Sequence, residues 1–148
     1  MIFHGRYRYN NRAHRPFLTA YVLSADDRWM KYSFLIDTGA DETFFHYRSI
    51  NILGIDTSQL EILDDVGGVG GYGIPYFHWN TEIKLISPEG TKIFGGEVNV
   101  FLDPHATDVP LPGRDVLDTF VAIFDRGKDD VILLDQPESY RIKRSPER

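Results

Sequence analysis

With 148 residues the chain has room for one ordinary domain, and 42% hydrophobic with 14% aromatic residues suffice to fill its core. The absence of cysteine excludes a disulfide framework and a thiol nucleophile, and no stretch approaches the about 20 apolar residues of a membrane span. Net charge is -6 at pH 7 but unevenly placed: Met1 to Pro16 holds Arg6, Arg8, Arg12 and Arg15 with no acid, Glu138 to Arg148 is also net basic, and the body between them is acidic.

In chain order, residues 1–14 read as a basic N-terminal arm without the apolar core of a signal peptide, so the expected compartment is cytoplasmic. Within it, Arg6-Tyr7-Arg8-Tyr9 combines the residue types that suit single-stranded nucleic acid. A basic arm lying over an acidic body or a partner subunit is the stronger reading, and no nucleic-acid partner is expected. Arg15 to Leu23 reads as a strand. Tyr32 to Ile36 is a second apolar run, and it leads directly into Asp37-Thr38-Gly39-Ala40 and the acidic pair Asp41-Glu42. Tyr47 to Leu53, ending at Gly54, predicts a helical turn or two with a glycine C-cap.

A glycine-rich stretch, Val66 to Pro75, follows. It contains a literal G-x-G-x-x-G at Gly68, Gly70 and Gly73, but a phosphate loop needs a helix after it. The residues after it, Tyr76 to Ile86, are aromatic, partly β-branched and loosely alternating, which predicts a strand and makes the glycines a mobile hairpin tip. Val109-Pro110-Leu111-Pro112-Gly113-Arg114-Asp115 then enters a short helical pattern through Phe120, and Val121 to Asp125 returns to a strand. Residues 137–148 form a basic C-terminal tail. The five histidines show no metal-ligand spacing, and neither metal nor cofactor is expected.

Asp37 sits where a buried strand turns. An Asp-Thr-Gly in that place is compatible with a simple Asx-turn, in which the carboxylate caps backbone N–H groups. Taken with the glycine hairpin and Gly113-Arg114-Asp115, in that order, it resembles the retropepsins, the single-domain aspartic proteases of retroviruses and related cellular and bacterial proteins. The resemblance spans Arg15 to Leu134 and implies a protease domain over 15–136. That domain would be an all-β closed barrel with a flap hairpin and one short C-terminal helix, assembled as a C2 homodimer.

Hydrolysis of a peptide bond without metal or covalent intermediate needs one carboxylate to take a proton from water and a second, protonated, to polarise the carbonyl. The chain offers Asp56-Thr57-Ser58, Asp118-Thr119-Phe120 and Asp125-Arg126-Gly127 as second sites, none a good copy of the first. The dyad is therefore expected to be Asp37 and its symmetry mate, acting on a polypeptide. By resemblance, Thr38 would bond across the axis, and Gly39, Asp41 and Glu42 would meet substrate, as would Val109 and Pro110. Gly68, Val69, Gly70, Gly71 and Tyr72 would form the flap; Tyr72 either covers substrate or packs the hairpin base. Asp41 would pair with Arg114, and across subunits with Arg15. Ala40 lacks the hydroxyl that pepsin-like enzymes usually carry there, so the dyad should titrate less acidically than pepsin's, with a mildly acidic optimum. A catalytically idle peptide-binding dimer that kept the loop for its turn is the alternative from another class.

Overall fold

The computed structural model describes residues 1–64 and 73–135. Among these residues are eight strands, four of whose connections are tight turns. They are β1 (Ile2–Asn10), β2 (Ala13–Leu23), β3 (Trp29–Leu35), β4 (Phe44–Phe45), β5 (Tyr76–Ser87), β6 (Gly90–Phe101), β7 (Phe120–Asp125) and β8 (Asp130–Asp135). Two short α-helices, α1 (Ser49–Leu53) and α2 (Arg114–Leu117), and a 3₁₀ turn at Arg126–Lys128 complete the regular structure among the described residues.

Local chemistry accounts for the turns. Asn11 and Arg12, both at positive φ (50° and 65°), link β1 to β2 in the backbone form that matches strand twist. Gly54 ends α1 at φ 67°, the left-handed conformation expected of a glycine C-cap. Ser24 accepts from the Arg28 N–H and orders the β2–β3 turn.

One sheet runs β4-β6-β5-β2-β1-β8-β7, with β3 paired to the other side of β2. β2 is long enough to pair with β1 through its first half and with β5 through Tyr21 and Val22. The inward faces bring Val22, Phe34, Phe45, Phe77, Leu85, Val100 and Leu133 into one core. The basic stretch at the chain start is β1 itself, held by β2 on one side and β8 on the other. The mostly-β architecture matches expectation, but the sheet is not a closed barrel. Closure needs the two end strands to run beside each other for several residues. β4 is two residues long, both Phe44 backbone groups are taken by Leu111, and β7 pairs only with β8 among the described residues.

Among the described residues no helix is long and apolar enough to cross a membrane, and no cluster of three or more potential metal ligands occurs.

Candidate active site

The Asp37 loop is positioned from both flanks. The N–H of Leu35 donates to Pro110 O and that of Ile36 to Pro16 O, each at 3.0 Å, so the end of β3 is clamped and the next residues project. The N–H of Gly39 donates to Asp37 Oδ1 at 2.9 Å and that of Ala40 to Asp37 O at 3.3 Å. This is the Asx-turn geometry the sequence allows. Asp37, Thr38 and Gly39 are exposed in the single chain. Among the described residues the Gly39 N–H is the hydrogen-bond partner of the Asp37 carboxylate, which leaves its other oxygen open to solvent.

A turn alone does not require what lies behind it. The first amides of α2 face the loop: the Arg114 N–H donates to Ala40 O at 2.8 Å and the Asp115 N–H to Asp41 O at 3.3 Å. Gly113 makes this approach possible, because a Cβ there would lie 2.2 Å from the Glu42 carbonyl carbon. Thr43, fully buried, locks the two segments. Its hydroxyl donates to Asp115 Oδ1 at 2.8 Å and accepts from the Gly113 N–H at 3.1 Å, while its own N–H donates to Asp115 Oδ2 at 3.0 Å. Asn99 Nδ2 on β6 donates to Glu42 Oε2 at 2.8 Å and to Thr43 O at 3.2 Å, fixing the far end of the loop.

The structure pairs Arg114 with Asp41, and the carboxylate raises the guanidinium pKa further. Both side chains are more than half exposed, so the contact orients the loop more than it stabilises the fold. Val109 and Pro110 flank the loop through the Pro110 bond to Leu35. Pro112 is buried directly after the two-way bridge of Leu111 with Phe44, so pairing beside the loop is made by Leu111 and needs no donor from the proline. Arg15 lies on β2 opposite Arg8 in register. Gly68, Val69, Gly70, Gly71 and Tyr72 lie outside the described residues. Residues on either side of that stretch are described: Leu63 and Tyr76 exchange two backbone bonds of 2.8 Å.

Sequence reading missed the roles of Thr43, Asp115 and Asn99. The signals available were an acid directly after Gly113-Arg114 and a threonine six residues after Asp37, but only tertiary pairing gives either a partner. A second polar cluster lies inside the core. The Tyr32 hydroxyl donates to Ser49 Oγ at 2.9 Å, and Ser49 Oγ bonds His46 Nδ1 at 2.8 Å. Burial pushes the Tyr32 hydroxyl up to about 12. Burial, then the Arg48 charge, pushes His46 down. Ser49 is fully buried and His46 7% exposed, so this serine–histidine pair ties α1 to β3 and is out of reach of a substrate.

No protein-family model matches the chain, and no curated protein sequence matches it. Solved structures do. A retropepsin-like aspartic protease from Rickettsia conorii overlaps 90% of this chain and 91% of its own, at 20% identity and a TM-score of 0.60. The EIAV protease in complex with the inhibitor HBY-793 overlaps 75% of this chain and 91% of its own, at 23% identity and a TM-score of 0.50. These overlaps identify the chain as having the retropepsin-like fold.

Proposed function

We propose that the protein is an aspartic endopeptidase that works as a C2 homodimer, with one Asp37 from each copy sharing a proton. The observation that carries this reading is the exposed Asp37 carboxylate on a loop fixed by α2, in a fold shared with aspartic proteases. Two such carboxylates brought within a few ångströms cannot both ionise, so one activates water while the other donates to the scissile carbonyl. The attacked carbon becomes tetrahedral, and the proton returned by the dyad leaves with the amine. No metal or cofactor is needed for that chemistry.

An extended substrate would lie in the cleft as an added strand. Gly39 leaves space and a backbone acceptor for it, Asp41 and Glu42 supply further contacts, and Val109 and Pro110 form a wall. The hairpin tip from Gly68 to Tyr72 would close over it. Thr38 would tie the two loops across the axis, and Arg15 of the second copy would reach the Asp41 already held by Arg114. The test is incubation of the wild type and Asp37→Asn with a diverse peptide library from acidic to neutral pH, with cleavage read by mass spectrometry. Cleavage by the wild type alone is the expected result. Identical products from both variants would refute a role for Asp37, and silence from both, with dimers present, would favour an idle peptide-binding dimer.

A further inference from the structure

A groove of about 1070 Å³ lies away from the Asp37 loop, none of whose residues line it. It opens over β1, β2, β3 and the turn before β8. Four cationic side chains line it, Arg6, Arg8, Lys31 and Lys128, in a chain whose net charge is -6. Its two acids are engaged: Asp130 meets His4 Nδ1 at 3.2 Å and Asp129 meets His14 Nε2 at 3.0 Å. Arg8 is fixed, donating to Ser33 Oγ with its guanidinium 4.1 Å above the Phe17 ring. The exposed heads of Arg6, Lys31 and Lys128 have no ion-pair or hydrogen-bond partner among the described residues.

The backbone that lines the groove leads into the candidate site. The groove-wall residue Phe17 pairs with Leu35 in register, and the preceding Pro16 accepts from Ile36, the residue before Asp37. Ser33 and Lys31 are four and six residues upstream of Asp37 on one extended segment, which at about 3.3 Å per residue puts them roughly 13 and 20 Å away. A polypeptide running through the cleft in extended form covers the same distance in four to six residues.

We infer that this groove is a secondary binding site for an acidic segment of the polypeptide substrate, displaced four to six residues from the scissile bond. The inference rests on the protease reading for the position of that bond. A few carboxylates match three unpartnered cations, whereas a nucleic acid draws its affinity from many phosphates and would run on over an acidic body.

The test uses peptides with one scissile sequence and a Glu-Glu-Glu or Gln-Gln-Gln block four to six residues away, on either side. Binding is measured first by fluorescence anisotropy with Asp37→Asn protein, which needs no catalysis, so a failure of the protease reading leaves this arm intact. The acidic peptide should bind at least about fivefold tighter at low salt, with the advantage lost near 0.5 M salt, as expected for exposed charges. The double variant Lys31→Glu/Lys128→Glu should erase the advantage and prefer a Lys-Lys-Lys block, a gain that simple misfolding would not produce. With the wild type, the ratio of kcat/KM for acidic over neutral peptide should show the same preference through KM. Equal binding of the Glu and Gln peptides would overturn the inference, as would tighter binding of a single-stranded DNA of equal charge.

Discussion

Thr43→Val is the most informative perturbation of the site's framework. The substitution preserves volume and removes only a hydroxyl that is fully buried and doubly bonded. Loss of a hydrogen bond to a charged acceptor costs about 1.5–3 kcal/mol, and the Gly113 N–H left without a partner adds a penalty of about 1–3 kcal/mol. The two share one site and do not simply add, so a total of about 3 kcal/mol is expected. In a domain of this size that corresponds to a Tm lower by about 6–12 °C. Thr43→Ser keeps the hydroxyl and loses one methyl group, about 1 kcal/mol. Thermal unfolding followed by circular dichroism, at one protein concentration so that any dimerisation contributes equally, separates the two. A valine variant within about 0.5 kcal/mol of the wild type, or a serine variant as damaged as the valine one, would refute the assignment of Thr43 as the lock between loop and helix.

Gly113→Ala places a Cβ against the Glu42 backbone, and its soluble yield and Tm should fall further than those of Thr43→Val; a normal Tm would show that the loop can move away. His46 titrates with a sign opposite to that of an ion-paired histidine. Its folded pKa is lowered, so the unfolded chain takes up a proton first and stability, fully present above about pH 6.5, declines as pH falls through the folded value. Urea unfolding at pH 7.5 and 5.5 should show that decline in the wild type and a shallower one in His46→Gln; equal slopes would contradict it. Ala40→Thr adds a hydroxyl beside Asp37 and, if the shared dyad operates, should move the pH–rate profile to lower pH, whereas an unchanged profile would separate Ala40 from the optimum.

The strands were legible where the pattern was strong: Arg15 to Leu23 and Tyr76 to Ile86 fall within strands, Tyr32 to Ile36 overruns the end of β3 by one residue, and Gly54 caps α1. β1 was not, because Arg6, Arg8 and its other polar residues dominate its composition and its apolar contribution to the core rests on Phe3, with Tyr7 packed against it. Openness of the sheet was equally invisible, since it depends on Phe44 bonding Leu111, two residues far apart in the chain. At the site, the turn at Asp37 was legible because Asp-Thr-Gly directly after an apolar run is an Asx-turn pattern. Thr43, Asp115 and Asn99 were not, because each is an ordinary polar residue until the fold supplies its partner. The groove had a trace in Arg6-Tyr7-Arg8-Tyr9, but alternation along β1 puts Arg6 and Arg8 on one side with Lys31 and Lys128, a grouping made by tertiary structure.

A shared dyad needs one Asp37 from each of two chains. Wild type is therefore mixed with increasing Asp37→Asn, co-refolded so that chains exchange, and assayed on a cleaved peptide. With a ninefold excess of the variant, random pairing leaves about one wild-type chain in ten with a wild-type partner, so activity per wild-type chain should fall to about a tenth. Activity per wild-type chain that stays constant across the mixture would contradict a shared dyad and place both catalytic groups within one chain.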